Sequence, residues 1–237
     1  MPSDGDQISG SSENLVIIGA GGHGSEIRAY IENSAVANGH MRFLGFIDDN
    51  RPTGPWLGTE ILGGMTDLEA LVRREKGSEF HYITACGDNP VRRRLVKNIE
   101  AFGLTNVHPR TLRHPTSQVG REVEVGPGTL LAPNVIVTTR VHIGSHCILN
   151  VRASVSHDCV IGDFVNINPG AVICGTVDIG IGAYIGAGAV LKEGIRIGRG
   201  VTVGAGAVVI RDLPNGVTAV GVPARVIKEN SIDWINA

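Results

Sequence analysis

Two short stretches hold residues able to do chemistry. In VSHDCVIGDF, residues 155–164, a histidine and an aspartate stand side by side as His157 and Asp158. An imidazole with an ordinary pKa of about 6.5 takes up a proton near neutral pH, and an adjacent carboxylate can hold the ring in one tautomer. That pairing suits a general base removing the proton that an amine or hydroxyl loses as it attacks a carbonyl carbon. The other stretch is GAGGHG, residues 19–24, set between the aliphatic LVIIG and the amphipathic GSEIRAYIENS. Gly19, Gly21 and Gly24 form a G-x-G-x-x-G in strand-to-helix context, where backbone N–H groups and a helix N-terminus suit a diphosphate. Asp48 and Asp49, closing the strand MRFLGFIDDN, can accept from a ribose or a base.

What must position His157 is a repeat. From Val119 in steps of six the sequence reads Val, Ile or Leu at every position to Val209, with mostly small or β-branched residues four places after them and glycine recurring directly after the aliphatic. A period of six with one large and one small inward residue predicts a parallel β-helix, three hexapeptides per triangular coil of 18 residues. Gly is expected there to relieve the sharp turns. The open ends of such a solenoid need caps. The turn Pro214-Asn215-Gly216 stops the repeat, and residues 214–237 are expected to form the C-terminal cap.

Residues 13–105 alternate strand and helix, with strands at 15–19, 41–50 and 80–87 and the basic helix NPVRRRLVKNIEAFG after the third. This βαβ pattern predicts a small parallel sheet with ligands at the carboxyl ends of its strands. Its size is one mononucleotide half, which argues for a nucleoside diphosphate rather than NAD. The organisation read from the chain is therefore a disordered tail over 1–12, an α/β half-Rossmann nucleotide-binding domain over 13–105, a β-helix over 106–213 and the cap.

Composition narrows the function further. A formal charge of −2 and 4% aromatics leave neither a broad basic field nor many rings for stacking, so no nucleic-acid partner is expected. The first twelve residues lack a basic and apolar leader, and no stretch approaches the roughly 18 apolar residues a membrane helix needs. A soluble cytoplasmic protein with no membrane partner is the expectation. The four cysteines make no CxxC pair, fit small buried slots in a reducing compartment and have no evident activating neighbour, so no covalent intermediate on sulfur is expected.

GAGGHG after the first strand, FIDD after the second, HDCVIGDF in the repeat and the terminal GVPAR (221–225) occur in one order. Together, over roughly residues 14–228, they resemble the bacterial sugar acyltransferases of the hexapeptide-repeat superfamily. That group includes nucleotide-sugar N-acetyltransferases of bacillosamine and perosamine type and sialic-acid O-acetyltransferases. The resemblance implies a left-handed β-helix, a homotrimer, an N-terminal domain holding UDP or GDP, and acetyl-CoA as co-substrate between neighbouring helices, with no metal. It makes His157 the general base and Asp158 its orienting acid, and it matches Asn150, Gly22 and His23 to substrate-binding positions. Where family members commonly carry a second histidine on the acetyl carbonyl, this chain has Asn166, whose amide can still donate but cannot shuttle a proton.

The repeat puts His157 at a corner, pointing outward, with Gly175 one coil later leaving room for a ligand and a backbone N–H for an oxyanion. Ala187 and Ala205 form a small-residue column along a different corner, suited to a pantetheine arm if trimerisation sets it against the His157 corner of the next chain. The activity expected is acyl-CoA-dependent acylation of the amine of a UDP- or GDP-4-amino-4,6-dideoxyhexose. Open alternatives are sugar or sialic acid O-acetylation, a zinc trimer of carbonic-anhydrase type using His142, His146 and His157, and a non-catalytic nucleotide-sugar binder.

Overall fold

The computed structural model describes residues 13–33, 41–75 and 78–236. The tail expected over residues 1–12 lies outside them. Aliphatic alternation builds the N-terminal sheet around β1 (Glu13–Ile18), flanked by α1 (Gly22–Asn33), β2 (Met41–Ile47), β3 (Gly54–Trp56), β4 (Thr59–Gly63), α2 (Met65–Arg74), β5 (Phe80–Thr84), α3 (Asn89–Ala101) and β6 (Val107–Pro109). The strand order is β3-β4-β2-β1-β5-β6, parallel except for the β3–β4 hairpin. Both faces of β1 are buried: Leu15 and Ile17 pack with Ile27 and Ile31 of α1, Val16 and Ile18 with Leu68 of α2 and Val96 and Ile99 of α3. Burying each such side chain contributes roughly 1.5–3 kcal/mol.

Two expectations shift. The hairpin over 54–63 adds strands that the alternation did not announce, and β6 pairs with β5, so the N-terminal sheet runs to Pro109 and not to 105. The physical reason for the second is that the edge of β5 offers a free hydrogen-bonding row, which the connecting chain completes before the solenoid begins.

From Leu112 onward, two- and three-residue strands stack every 18 residues into three parallel sheets. The inward residue of each pair is the expected aliphatic, as in the stack Val137, Val155, Ile173, Leu191, all at most 1% exposed. Outward residues differ by face. On the eight-stranded face Leu130, Ile148 and Asn166 are covered by the N-terminal domain. The six-stranded face carries Gln118, Ile136, Ser154, Val172, Val190 and Val208. The five-stranded face carries Glu124, His142, Val160, Asp178 and Arg196.

The glycine after the aliphatic does not relieve the turn. Positive φ falls two residues further on, at every sixth residue from Glu122 to Gly206, non-glycines filling most of the early corners and glycines most of the later ones. Gly126 is instead required by closeness, since a Cβ there would lie 2.6 Å from the Gly144 carbonyl carbon of the next coil. The cap is a pair of strands and a short helix. Val217–Gly221 extends the eight-stranded face parallel to Thr202–Val203, Ala224–Glu229 returns antiparallel, and the short helix α4 (Asp233–Asn236) folds back against the corner glycines Gly182 and Gly200. A strand edge was open for pairing, so the chain continued the sheet before turning away from it.

Candidate active site

His157 occupies the corner between the six- and five-stranded faces, its side chain 57% exposed. Its Nδ1 lies 2.7 Å from Asp158 Oδ2. Asp158 takes the left-handed conformation at φ 59, which short acidic side chains tolerate better than most. It is gripped from the coil below by Arg140, whose Nε reaches Oδ1 at 2.7 Å and Nη2 reaches Oδ2 at 3.0 Å. The Arg140 hydrogen bonds, then the His157 contact, hold the Asp158 carboxyl down to about 2. An ionised carboxylate only accepts, so Nδ1 of His157 carries the proton and the lone pair of the neutral ring sits on Nε2. The pair thus presents an oriented base to solvent.

Gly175, one coil later, lies directly above the ring: a Cβ there would come within 2.6 Å of His157 Cε1. The room that glycine leaves is therefore filled by the histidine itself, not by free space. No hydrogen bond from the Gly175 N–H is made among the described residues.

The glycine loop divides into two kinds of position. Gly19, at φ 108, lies against the Ala85 backbone, and a Cβ on Gly24 would collide with the Gly19 carbonyl, so both are demanded by the fold. Gly21 and Gly22 have nothing within 4 Å of a Cβ, so their lack of one leaves the backbone open to approach. Asp48 ties the loop to β2 through Ala20 N–H at 2.8 Å and accepts from Asn50 N–H at 2.9 Å, while Asp49 Oδ1 accepts from Met65 N–H at 2.8 Å at the start of α2. Gly19, Gly21, Asp48 and Asp49 line a cavity of about 280 Å³ at the carboxyl ends of β1, β2 and β5. Gly22 and His23 do not line it. The His23 Nδ1 meets Glu26 at 3.0 Å, and its Nε2 is buried without a partner among the described residues.

Between the loop and the solenoid sits a buried guanidinium. Arg92 of α3 donates to the carbonyls of Cys86, His146 and Phe164 and to the side-chain oxygens of Asn89 and Asn166. Burial pulls its pKa down to about 10. Asn166 is 2% exposed, and its Nδ2 donates to Gly87 O at 2.6 Å. Both ends of that amide are committed to the joint between the two domains, so the expected contact of Asn166 with the acyl group is not available in this chain. The cause is Arg92, which occupies the outward side of the strand at that point.

The remaining candidates are dispersed. Asn150, Ala187 and Ala205 lie along the corner between the eight- and six-stranded faces, the opposite edge of the apolar face from His157 and Gly175. The Asn150 Oδ1 accepts from Val151 N–H at 2.7 Å. The three histidines of the zinc alternative do not converge. His142 is paired with Glu124, and His146 is stacked between Tyr82 and Phe164 with its pKa lowered by burial to about 4. Sequence reasoning missed Arg140, although its spacing of 18 before Asp158 is one coil, and Arg94, which lines the nucleotide-side cavity.

The comparisons with known proteins bear on both halves. Residues 14–99 match the family model described as the PglD N-terminal domain. The acetyltransferase domain of PglB from Neisseria gonorrhoeae is 34% identical, aligned over 90% of this chain and 99% of that one, with a TM-score of 0.79. The chain belongs to the hexapeptide-repeat family of sugar N-acetyltransferases. A variant of perosamine N-acetyltransferase from Caulobacter crescentus, in complex with CoA and GDP-perosamine, is 33% identical over 91% of this sugar N-acetyltransferase and 97% of its own chain, with a TM-score of 0.80. WeeI from Acinetobacter baumannii is 32% identical over 91% and 100%, also at 0.80. No sequence among the curated proteins compared matches the chain. Among the described residues no helix is long and apolar enough to cross a membrane.

Proposed function

We propose that this enzyme transfers the acetyl group of acetyl-CoA to the amine of a nucleotide-linked amino sugar, of the UDP- or GDP-4-amino-4,6-dideoxyhexose class, with His157 as general base. The observation that carries it is the His157 ring, fixed by Asp158 with Nε2 free and outward at the edge of an uncovered apolar face. The amine nitrogen attacks the thioester carbon, its proton passes to Nε2, the C–S bond breaks, and the imidazolium returns the proton to the departing thiolate. The free Gly175 N–H is the donor to the oxyanion. Gly22, His23 and the cavity at Asp48 and Asp49 take the nucleotide diphosphate, Asn150 meets the sugar, and Ala187 and Ala205 flank the pantetheine arm.

Because His157 and the Ala187 column lie at opposite edges of the six-stranded face, one chain does not bring them together. A homotrimer packed through that face does, which makes the site a shared one. The proposed co-substrates, coenzyme A and a nucleotide sugar, are both soluble, which supports a cytoplasmic reaction in glycan biosynthesis. The bound CoA and GDP-perosamine of the Caulobacter relative support the substrate classes.

The test is a panel of UDP- and GDP-amino sugars with acetyl-CoA, read by thiol release. His157→Ala is expected to lower kcat by about 10²- to 10⁴-fold with little change in KM, as for a group acting in the transition state. Wild-type turnover by that variant across neutral pH would remove His157 from the mechanism.

A further inference from the structure

Three consecutive arginines on α3 face three different neighbours. Arg92 points into the joint with the solenoid, Arg93 bonds the carbonyl of Trp234 in α4, and Arg94 lines the 280 Å³ cavity beside Val91 and Leu95 of the same helical face. Steps of about 100° per residue produce this fan. Arg94 alone of the three has no hydrogen bond or ion pair among the described residues.

The cavity it lines has an unbalanced charge for an anionic ligand. Asp48 and Asp49 stand on its wall, and Arg94 is the one cation among its lining residues. The loop opposite is also poorer in donors than its sequence suggests. The Gly19 N–H donates to Ile47 O and the Ala20 N–H to Asp48, which leaves the N–H groups from Gly21 onward for a phosphate. A diphosphate bringing two or more negative charges beside two carboxylates is repelled unless a cation screens it. A guanidinium fork meets phosphate oxygens in a two-point, charge-assisted contact that neutral N–H groups do not match.

We propose that Arg94 is a substrate-binding residue that grips the diphosphate from the α3 side, opposite the glycine loop, and so makes the site select nucleoside diphosphates over monophosphates and nucleosides. This rests on the nucleotide-sugar reading above. Arg94 is exposed on a helix capped independently by Asp88, so its replacement leaves the fold intact.

Calorimetry on the full chain tests it, using uridine, UMP and UDP and the matching guanosine series, with wild type, Arg94→Ala and Arg94→Lys. Loss of a charge-assisted contact is expected to weaken diphosphate binding by about 10- to 100-fold in Arg94→Ala, with nucleoside binding changed less than about twofold and partial recovery in Arg94→Lys. Diphosphate binding unchanged in Arg94→Ala overturns the assignment while leaving the nucleotide site standing. Equal losses for nucleoside and diphosphate also overturn it, placing Arg94 on the base or ribose. Wild type that binds neither series overturns both this assignment and the nucleotide-sugar reading, an outcome distinct from the other two. Thermal melting of each variant confirms that the fold is retained.

Discussion

The eight- and six-stranded faces of the solenoid share their inward residues and differ in their outward ones. Leu131, Leu149, Ile167 and Ile185 stack inside one face as Val137, Val155, Ile173 and Leu191 do inside the other. Outside, Leu130 and Ile148 are 1% and 4% exposed beneath the N-terminal domain, whereas Ile136 and Val172 are 44% and 37% exposed. The inward residue of each pair decides that a coil forms, and the outward one decides what the coil adheres to. One apolar column has found its cover within the chain. The other, Ile136, Val172, Val190 and Val208 interrupted by Ser154, has none among the described residues, and uncovered apolar surface of this kind marks an association site.

The sharpest way to break this comparison is to charge the uncovered column. For the trimer proposed above, Ile136→Asp with Val172→Asp is expected to convert trimer to monomer and to reduce acetyl transfer by about 10²-fold or more, because the two halves of the proposed shared site would no longer meet in register. Val160→Asp, on the polar five-stranded face, leaves both unchanged. Sedimentation and thiol release report the two effects, and a double variant that stays trimeric and active would end the claim that this face is the interface.

On the covered face the corresponding cut is Arg92→Met, which leaves the carbonyls of Cys86, His146 and Phe164 and two amide oxygens without their donor. At about 1–3 kcal/mol for each buried group left unsatisfied, a loss of about 3 kcal/mol or more in urea unfolding is expected. An unchanged midpoint would mean that the domains are held by the apolar contacts alone.

A smaller effect sharpens the corner between the faces. With its pKa held at about 2, chiefly by Arg140, Asp158 keeps its charge, and with it the His157 contact, above that pH and loses it as the pH falls through that value. Arg140→Ala is expected to return the carboxyl toward the ordinary range near 4, so that the charge is lost at higher pH, while turnover near pH 7 changes less than about threefold. Carbon NMR of the Asp158 carboxyl reads this, and a titration still near 2 would show that Arg140 is not the cause.

Much of this was legible before any coordinates. A six-residue period shows directly in sequence because every coil uses the same inward slots, and His157 stands out because those slots do not require it. The glycine loop was equally plain, its strand and helix being written on either side. What escaped is what long-range contact decides. The hairpin turns through Leu57 and Gly58, at φ 48 and 72, a type I′ turn in which leucine replaces the usual Asn or Asp, so the local signal was silent. Asn166 was read by resemblance as facing the acyl group, but its surroundings are set by Arg92, 74 residues earlier in the chain, which no local pattern reports.

The left-handed corners carry a stereochemical consequence. At every sixth residue the backbone adopts a conformation natural to the mirror-image amino acid, and from Glu122 to Gly206 only Thr176 brings a β-branched side chain to it. Sliding the chain by one residue would place Val123, Val135, Val141 and Val165 at those points. Each would cost roughly 1–2 kcal/mol from the clash between Cβ and the carbonyl that follows it, before any loss of packing is counted. Chirality therefore acts as a ratchet on the winding: a sequence of nearly interchangeable aliphatics, which hydrophobicity alone would let slip, has one admissible phase, and His157 stays at its corner because Asp158 is one of the residues that can turn it.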